Sequence, residues 1–220
     1  MNWDSFILTF QLATITTLLL LVFVLPLVHW LAYSKSFLRP FVETIINLPF
    51  VLPPTVLGFY FLIVFSPQGE LGSFLNKFLG IDLLFSFQGL VLASMIYSLP
   101  FITKPILAGV QALPSQMRNT ALLMGKSKLV VFLKVILPNV KNSIVTACVL
   151  CFAHVIGEFG IVLMIGGNLE GETKVASIAI YEQVESLNFD KAHIYAAILL
   201  SISFLILFGV HVLNKRQALW

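Results

Sequence analysis

The chain has 220 residues, 59% of them hydrophobic and 10% charged, with a formal net charge of +3. A soluble domain carries roughly 25% charged residues, and one this small has too little interior to hide so much apolar surface, so the excess must face lipid. This excludes a nucleic-acid-binding module, for which there is no polar domain to carry a basic face. It also leaves Cys148 and Cys151 as small residues on one face of a buried helix, not a disulfide framework.

The expected fold class is an all-α membrane protein. A bilayer core of roughly 30 Å requires about 20 mostly apolar residues in helix. Five stretches qualify: Phe6 to Tyr33, Ile45 to Phe65, Phe85 to Val110 with interruptions expected at Pro100 and Pro105, Ser143 to Ile165 and Ile194 to Leu213. The first is read as a retained helix, because Met1 to Phe10 contains Asp4 and no basic residue, whereas a secretory signal opens on positive charge.

Charges divide the connections into two classes. Lys35 and Arg39 follow the first span. Lys104, Arg118, Lys126, Lys128, Lys134 and Lys141 lie around the third connection with no acid among them, and Lys215 and Arg216 follow the last span. Ten of the thirteen Lys and Arg thus fall on one side, which the positive-inside tendency places in the cytoplasm. The N-terminus is then outside and the C-terminus inside, as an odd number of spans requires. The opposite connections are acidic, with Glu170, Glu172, Glu182, Glu185 and Asp190 before the fifth span.

The basic stretch from Gln111 to Asn142 has its own pattern. Pro114 and Ser115 read as a helix start. Met117, Ala121 and Met124 share a face, Gly125 interrupts, and Leu129, Phe132, Leu133 and Ile136 resume before Pro138. This predicts two short amphipathic helices joined at a glycine. Such a pair either lies on anionic lipid or forms a docking surface for a cytosolic partner, and the pattern alone leaves both open.

The spans lack a converging catalytic set and any nucleotide-binding glycine-lysine loop, so no enzymatic activity is expected. Three ionisable residues stand out as functional candidates in apolar surroundings. Glu158 lies in Gly157-Glu158-Phe159-Gly160, His154 sits four residues earlier, and Lys104 is near the end of the third span, where it can snorkel. For Glu158 a gating or pore-lining role stands beside a plain loosened helix end that admits water. Pro49, Pro53 and Pro54 predict a bent, inward-facing second span, since the freed carbonyls need protein or water partners. Pro53, Pro54, Thr55, His154, Gly157, Glu158 and Gly160 are therefore the candidate pore or gate residues. Five spans do not divide into the equal repeats of many secondary transporters, and no channel filter or charge ring is present. Half of a two-fold pore fits better.

The stretch from Asn119 to Pro138 resembles the cytoplasmic signature of ABC importer permeases: Glu-Ala-Ala, three residues, Gly, nine residues, Ile, one residue, Leu-Pro. The matching positions are Asn119, Thr120, Ala121, Gly125, Val135, Leu137 and Pro138. Asn119 and Thr120 depart from the signature's Glu and Ala, which weakens any role for a carboxylate there. Leu48-Pro49-Phe50-Val51-Leu52-Pro53-Pro54-Thr55 resembles the molybdate permease family. So do Gly157-Glu158-Phe159-Gly160 and Met164-Ile165-Gly166-Gly167-Asn168. The first and second of these three are shared with sulfate permeases, and the third tips the resemblance toward molybdate or tungstate.

The resemblance implies a type I ABC importer permease fold as a single domain over 1–220, with its coupling-helix region at 114–138. It implies ATPase-coupling roles for Ser115, Arg118, Asn119, Thr120, Ala121, Met124, Gly125, Leu137 and Pro138. The implied partners are two cytosolic ABC ATPase subunits, a second copy of the permease and an extracytoplasmic oxyanion-binding protein. No cofactor is implied on this chain, with ATP and Mg used by the ATPase. The implied setting is the bacterial or archaeal cytoplasmic membrane. Recognition of the anion by a separate protein accords with the residues, since no cation lies mid-span and the outer connections are net acidic. A sulfate or thiosulfate permease is the alternative, and a stand-alone transporter or channel a more distant one.

Overall fold

A computed structural model describes residues 3–80 and 82–217. The side chains of Lys215 and Arg216, which enter the charge pattern above, lie outside the described residues. Among those described the secondary structure is helical throughout. Three helices, α1 (Asp4–Tyr33), α5 (Phe87–Ala112) and α12 (Phe189–Gln217), are long and apolar enough to cross a membrane. Between α1 and α5 lie α2 (Arg39–Val51), α3 (Pro54–Phe65) and α4 (Glu70–Leu79). Between α5 and α12 come α6 (Ser115–Leu123), α7 (Lys128–Val131), a π-helical turn (Phe132–Ile136), α8 (Leu137–Asn139), α9 (Lys141–Ile156), α10 (Gly160–Gly166) and α11 (Ala176–Glu185).

The helix α1 shows how an almost uniformly apolar sequence still acquires an inner face. Thr9, Leu12, Ala13, Thr16, Leu20, Val24, Val28 and Leu31 recur at three- and four-residue spacing and are buried, while Leu18, Val22 and Phe23 are exposed. The buried stripe packs on α5 and α9. With Leu90, Ala93, Ser94, Ser98, Ile102 and Ile106 all inaccessible, α5 is the central post, and α1, α2, α9 and α10 surround it. By contrast α12 is mostly exposed in the single chain, with Leu200, Phe204 and Leu205 facing outward, and its inner contacts are to α9 and α11.

The stretches 45–65 and 143–165 are interrupted, whereas α1 runs unbroken through Pro26 and α5 through Pro100 and Pro105, where the sequence suggests a break. The α2 and α3 axes differ by 115°. The cause is local: Leu52 and Pro53 are both extended, at ψ 133° and 141°, because each precedes a proline and is pushed out of helical geometry. The stretch 143–165 is divided, with α9 ending at Ile156 and α10 beginning at Gly160. Phe159 between them is non-helical at φ −130°, ψ −54°. The sixteen residues of α9 rise about 24 Å, and α9 is bent by 76° from the Lys128–Asn139 stretch before it. The acidic connection 66–86 contains α4, which closes on Gly80 at φ 65°.

Candidate functional site

Pro54, Thr55, His154, Gly157, Glu158 and Gly160 are brought together around one cavity of about 590 Å³, joined there by Tyr97, Ala153 and Phe159. Two helix breaks make this site. The Leu52–Pro53 bend brings the start of α3 to the cavity, and the gap after Ile156 brings the Gly157–Phe159 turn to the same place. Pro53 caps α3 without lining the cavity. The two breaks meet closely: a Cβ on Gly160 would stand 2.8 Å from Pro54 Cβ, so only glycine permits this approach. One turn further along, a Cβ on Gly58 would stand 2.9 Å from Met164 Sδ.

Glu158 is 4% exposed. Ser94 Oγ on α5 donates to its Oε2 at 3.0 Å, while its Oε1 has no hydrogen-bond partner among the described residues. Its main chain is also held, because Ser177 Oγ on α11 donates to the Glu158 carbonyl at 2.7 Å. His154 is stacked on Phe101, with ring centroids 3.8 Å apart, and lies 5.0 Å from Tyr97; its Nε2 is buried without a partner among the described residues. Behind the largely apolar walls of the cavity thus lie one carboxyl oxygen and one imidazole nitrogen, both buried and unmatched by the described protein groups.

The segment leaving α10 ties this turn to the end of the bundle where α1 begins. Thr173 is wholly buried, donates to the Gly166 carbonyl at 2.6 Å and accepts from the Leu169 amide. The Ala176 amide, which opens α11, donates to Thr9 Oγ1 at 2.8 Å. Lys174 ion-pairs with Glu170 and Glu182 there. Burial alone lowers its pKa, but the two carboxylates outweigh that and hold it above the usual lysine value.

At the opposite end of the bundle, α6 runs from Pro114 to a turn at Gly125, whose φ of 75° lies in the left-handed region. Ser115, Asn119 and Thr120 are exposed, and so are Leu123 at 88% and Met124 at 72%. Ala121 is half-buried, and Arg118 turns its guanidinium over the Tyr33 ring at 4.3 Å. Leu137 and Pro138 lie in α8 directly after the π-helical turn, and Lys104 is half-buried in α5.

Local sequence does not mark Ser94, Tyr97 or Tyr33 as site residues, and Ser177 is marked only as part of the run Val175 to Tyr181 that resembles the molybdate permease family. Hydroxyls are tolerated on any face of an apolar helix, so they carry little signal alone. Ser94, Tyr97 and Ser98 at helical spacing on α5 were the one available hint of a polar face.

The chain matches the family described as "Binding-protein-dependent transport system inner membrane component" over residues 25–218. It is 41% identical over 212 residues to the "Molybdenum transport system permease protein ModB" of Azotobacter vinelandii, covering 96% of this chain and 93% of that protein. It is 32% identical over 195 residues to the "Probable sulfate transport system permease protein cysT" of Prototheca wickerhamii, covering 88% and 75%. Among solved structures, a bacterial ABC transporter involved in alginate import superposes with a TM-score of 0.80 at 16% identity, over 97% of this chain and 78% of that one. An amino acid ABC transporter superposes with 0.65 at 19% identity, over 96% and 92%. At those identities the superpositions speak for the fold alone.

Proposed function

We propose, from the premise that this chain belongs to the binding-protein-dependent transport system inner membrane component family, that it provides the path for molybdate, or the similar tungstate, in an ATP-driven importer. That it is a non-catalytic inner-membrane permease of an ABC importer follows from the family itself. The choice of anion is supported by the relative of molybdenum transport, which is more similar and more fully covered than the sulfate-transport relatives at 30–32% identity. A sulfate-type permease is the alternative those relatives keep open.

The observation that carries the mechanism is the exposed α6 tip. Leu123 and Met124 stand 88% and 72% exposed beside the Gly125 turn, on a helix that buries none of its residues. In water such apolar side chains call for a cover. The basic flank of this element, with Arg118, Lys126, Lys128 and Lys134, argues for the cytoplasmic side. In our reading α6 docks into a groove of an ATPase subunit, and two permeases with two ATPases complete the assembly. ATP binding draws the ATPases together and carries the docked elements inward. The Pro54–Gly160 contact then opens, and the cavity around Glu158 and His154 receives the anion from an external binding protein. Hydrolysis reverses the motion, each state being favoured by its own contacts to nucleotide or partner. A path without a fixed cation suits throughput, because a dianion held tightly in the spans would not leave.

The test is uptake into proteoliposomes holding the permease, the ATPase and the binding protein. Molybdate uptake that needs all three and is not displaced by excess sulfate supports the reading. Uptake by this chain alone, driven by an ion gradient, overturns it, and Glu158→Gln with unaltered uptake across pH removes the gating role of that residue.

A further inference from the structure

The importer reading does not say which span receives the motion of the docking element. We infer that Tyr33 and His29, one turn apart at the end of α1, form an aromatic seat through which the α6–α8 element moves the spans.

Arg118, from the middle of α6, sets its guanidinium 4.3 Å over the Tyr33 ring. Phe132, from the start of the π-helical turn, lies 4.6 Å from the His29 ring, and His29 in turn lies 5.3 Å from Tyr33. α6 and the π-helical turn therefore each meet one of two neighbouring rings of α1. The space enclosed by His29, Tyr33, Arg118, Leu122 and Phe132 holds no water-sized void. A joint with no room for water between its side chains can pass a displacement from one to the next.

The covalent connection to α5 is poorly suited to the task, and the one to α9 turns through 76° at Val140. Leu113 and Pro114 join α5 to α6 in extended conformation, at ψ 139° and 130°, so the helix axis does not continue into the element. α6 buries none of its residues, whereas Val131, Phe132 and Ile136 beyond Gly125 are 2–3% exposed. The grip on the bundle is thus on the far side of the glycine turn and at Arg118. π-Helical turns commonly mark functional positions within helices, and this one begins at Phe132.

From the seat the path onward runs along α1, through Pro26. α1 is packed along α5 and α9, the helices that present Tyr97 and His154 to the cavity. Thr17 on α1 donates to Cys151 Sγ on α9 at 3.6 Å, and Thr9 near its other end receives the Ala176 amide. A shift of Tyr33 along the axis therefore reaches both walls of the cavity and the α11 clasp. Tyr33 and His29 are positioning residues in this scheme, touching neither nucleotide nor anion.

The inference rests on the importer reading, and one experiment separates the two. The full complex of permease, ATPase and binding protein is reconstituted with molybdate and ATP. The ATP hydrolysed per molybdate imported is measured for Tyr33→Leu, Tyr33→Phe, Arg118→Leu and the double variant Y33L/R118L. Y33L and R118L are expected to keep the ATPase bound while the ratio rises roughly three- to tenfold, the range a partly desolvated cation–π contact commands. Tyr33→Phe retains the π face and the wild-type ratio, and Y33L/R118L is no worse than either single change, because one contact is lost in all three. A wild-type ratio in Y33L and R118L overturns the seat. So does additivity in the double variant, which would assign Arg118 to the ATPase surface, and so does ATPase release from Y33L, which would make the seat a support of the docking surface. Should Y33L not reach the membrane, R118L and Tyr33→Phe decide alone. A wild-type complex that hydrolyses no ATP for uptake removes the importer reading instead.

Discussion

The close approach of α3 to α10 offers a quantitative test of the site's architecture. In Gly160→Ala the new Cβ would lie 2.8 Å from Pro54 Cβ, and in Gly58→Ala the new Cβ would lie 2.9 Å from Met164 Sδ. Relaxed carbon contacts lie near 3.5–4.0 Å, so each change demands that something yield by roughly 0.7 Å. The obstacles differ in kind. Pro54 Cβ belongs to a ring fixed to the backbone, so α3 as a whole must move. Met164 Sδ ends a flexible side chain that can swing aside, leaving a smaller strain at its Cβ, 3.1 Å away. Overpacking against a rigid neighbour costs about 1–3 kcal/mol. Each alanine recovers up to about 1 kcal/mol of helix propensity, less at the first residue of α10. The net expectation is about 1–2 kcal/mol destabilisation for Gly160→Ala and close to zero for Gly58→Ala. At about 2–4 °C per kcal/mol for a chain of this size, the midpoints should differ by roughly 2–8 °C. The assay heats each purified variant in detergent and follows the monodisperse fraction by size exclusion. A lower midpoint for Gly58→Ala than for Gly160→Ala, or a gain from Gly160→Ala, would refute the rigid-contact argument.

Other consequences follow from single contacts. Thr9→Val keeps the shape but leaves the buried Ala176 amide without its acceptor, which should cost about 1–3 kcal/mol in the same heating assay, whereas Thr9→Ser should be close to neutral. Gly125 meets nothing within 4 Å, so its constraint is the backbone alone: Gly125→Asn should retain ATP-coupled uptake, while Gly125→Val, strained by about 1–2 kcal/mol at φ 75°, should raise the ATP hydrolysed per anion. Lys174→Met should lower the melting midpoint at neutral pH. Because the carboxylates raise the folded-state pKa of Lys174, its contribution is full below the ordinary lysine value and fades only as pH climbs past it, so the difference between variant and parent should close in strong alkali. A gap that stays open in strong alkali would refute the ion-pair account.

Much of the architecture was legible from local pattern. Apolar length marks α1, α5 and α12, because a membrane span is recognised by composition over its own residues. Leu52-Pro53-Pro54 announced its bend, since the steric rule before proline acts between neighbours. Gly125 and the amphipathic runs on either side announced the α6–α8 element for the same reason. The stretch 143–165 reads as one apolar segment, yet it breaks after Ile156, where Ser94 and Ser177 hold the Glu158 turn from two other helices. α4 likewise went unread inside a short acidic connection.

By itself the sequence determined that the chain lives in lipid, how many apolar segments it can offer, that the second of them bends at Pro53-Pro54, and which segments carry the basic charge; it did not determine that α5 would run unbroken through Pro100 and Pro105. Each feature it determined is set by residues within a turn or two of one another. Only the tertiary structure decided that α3 and α10 meet at Pro54 and Gly160, that Ser94 reaches Glu158, and that Arg118 rests on Tyr33. In a span apolar on every side, hydrophobicity does not say which face turns inward. That choice is made when neighbouring helices pack, and with it the choice of which hydroxyl, ring or carboxyl finds a partner.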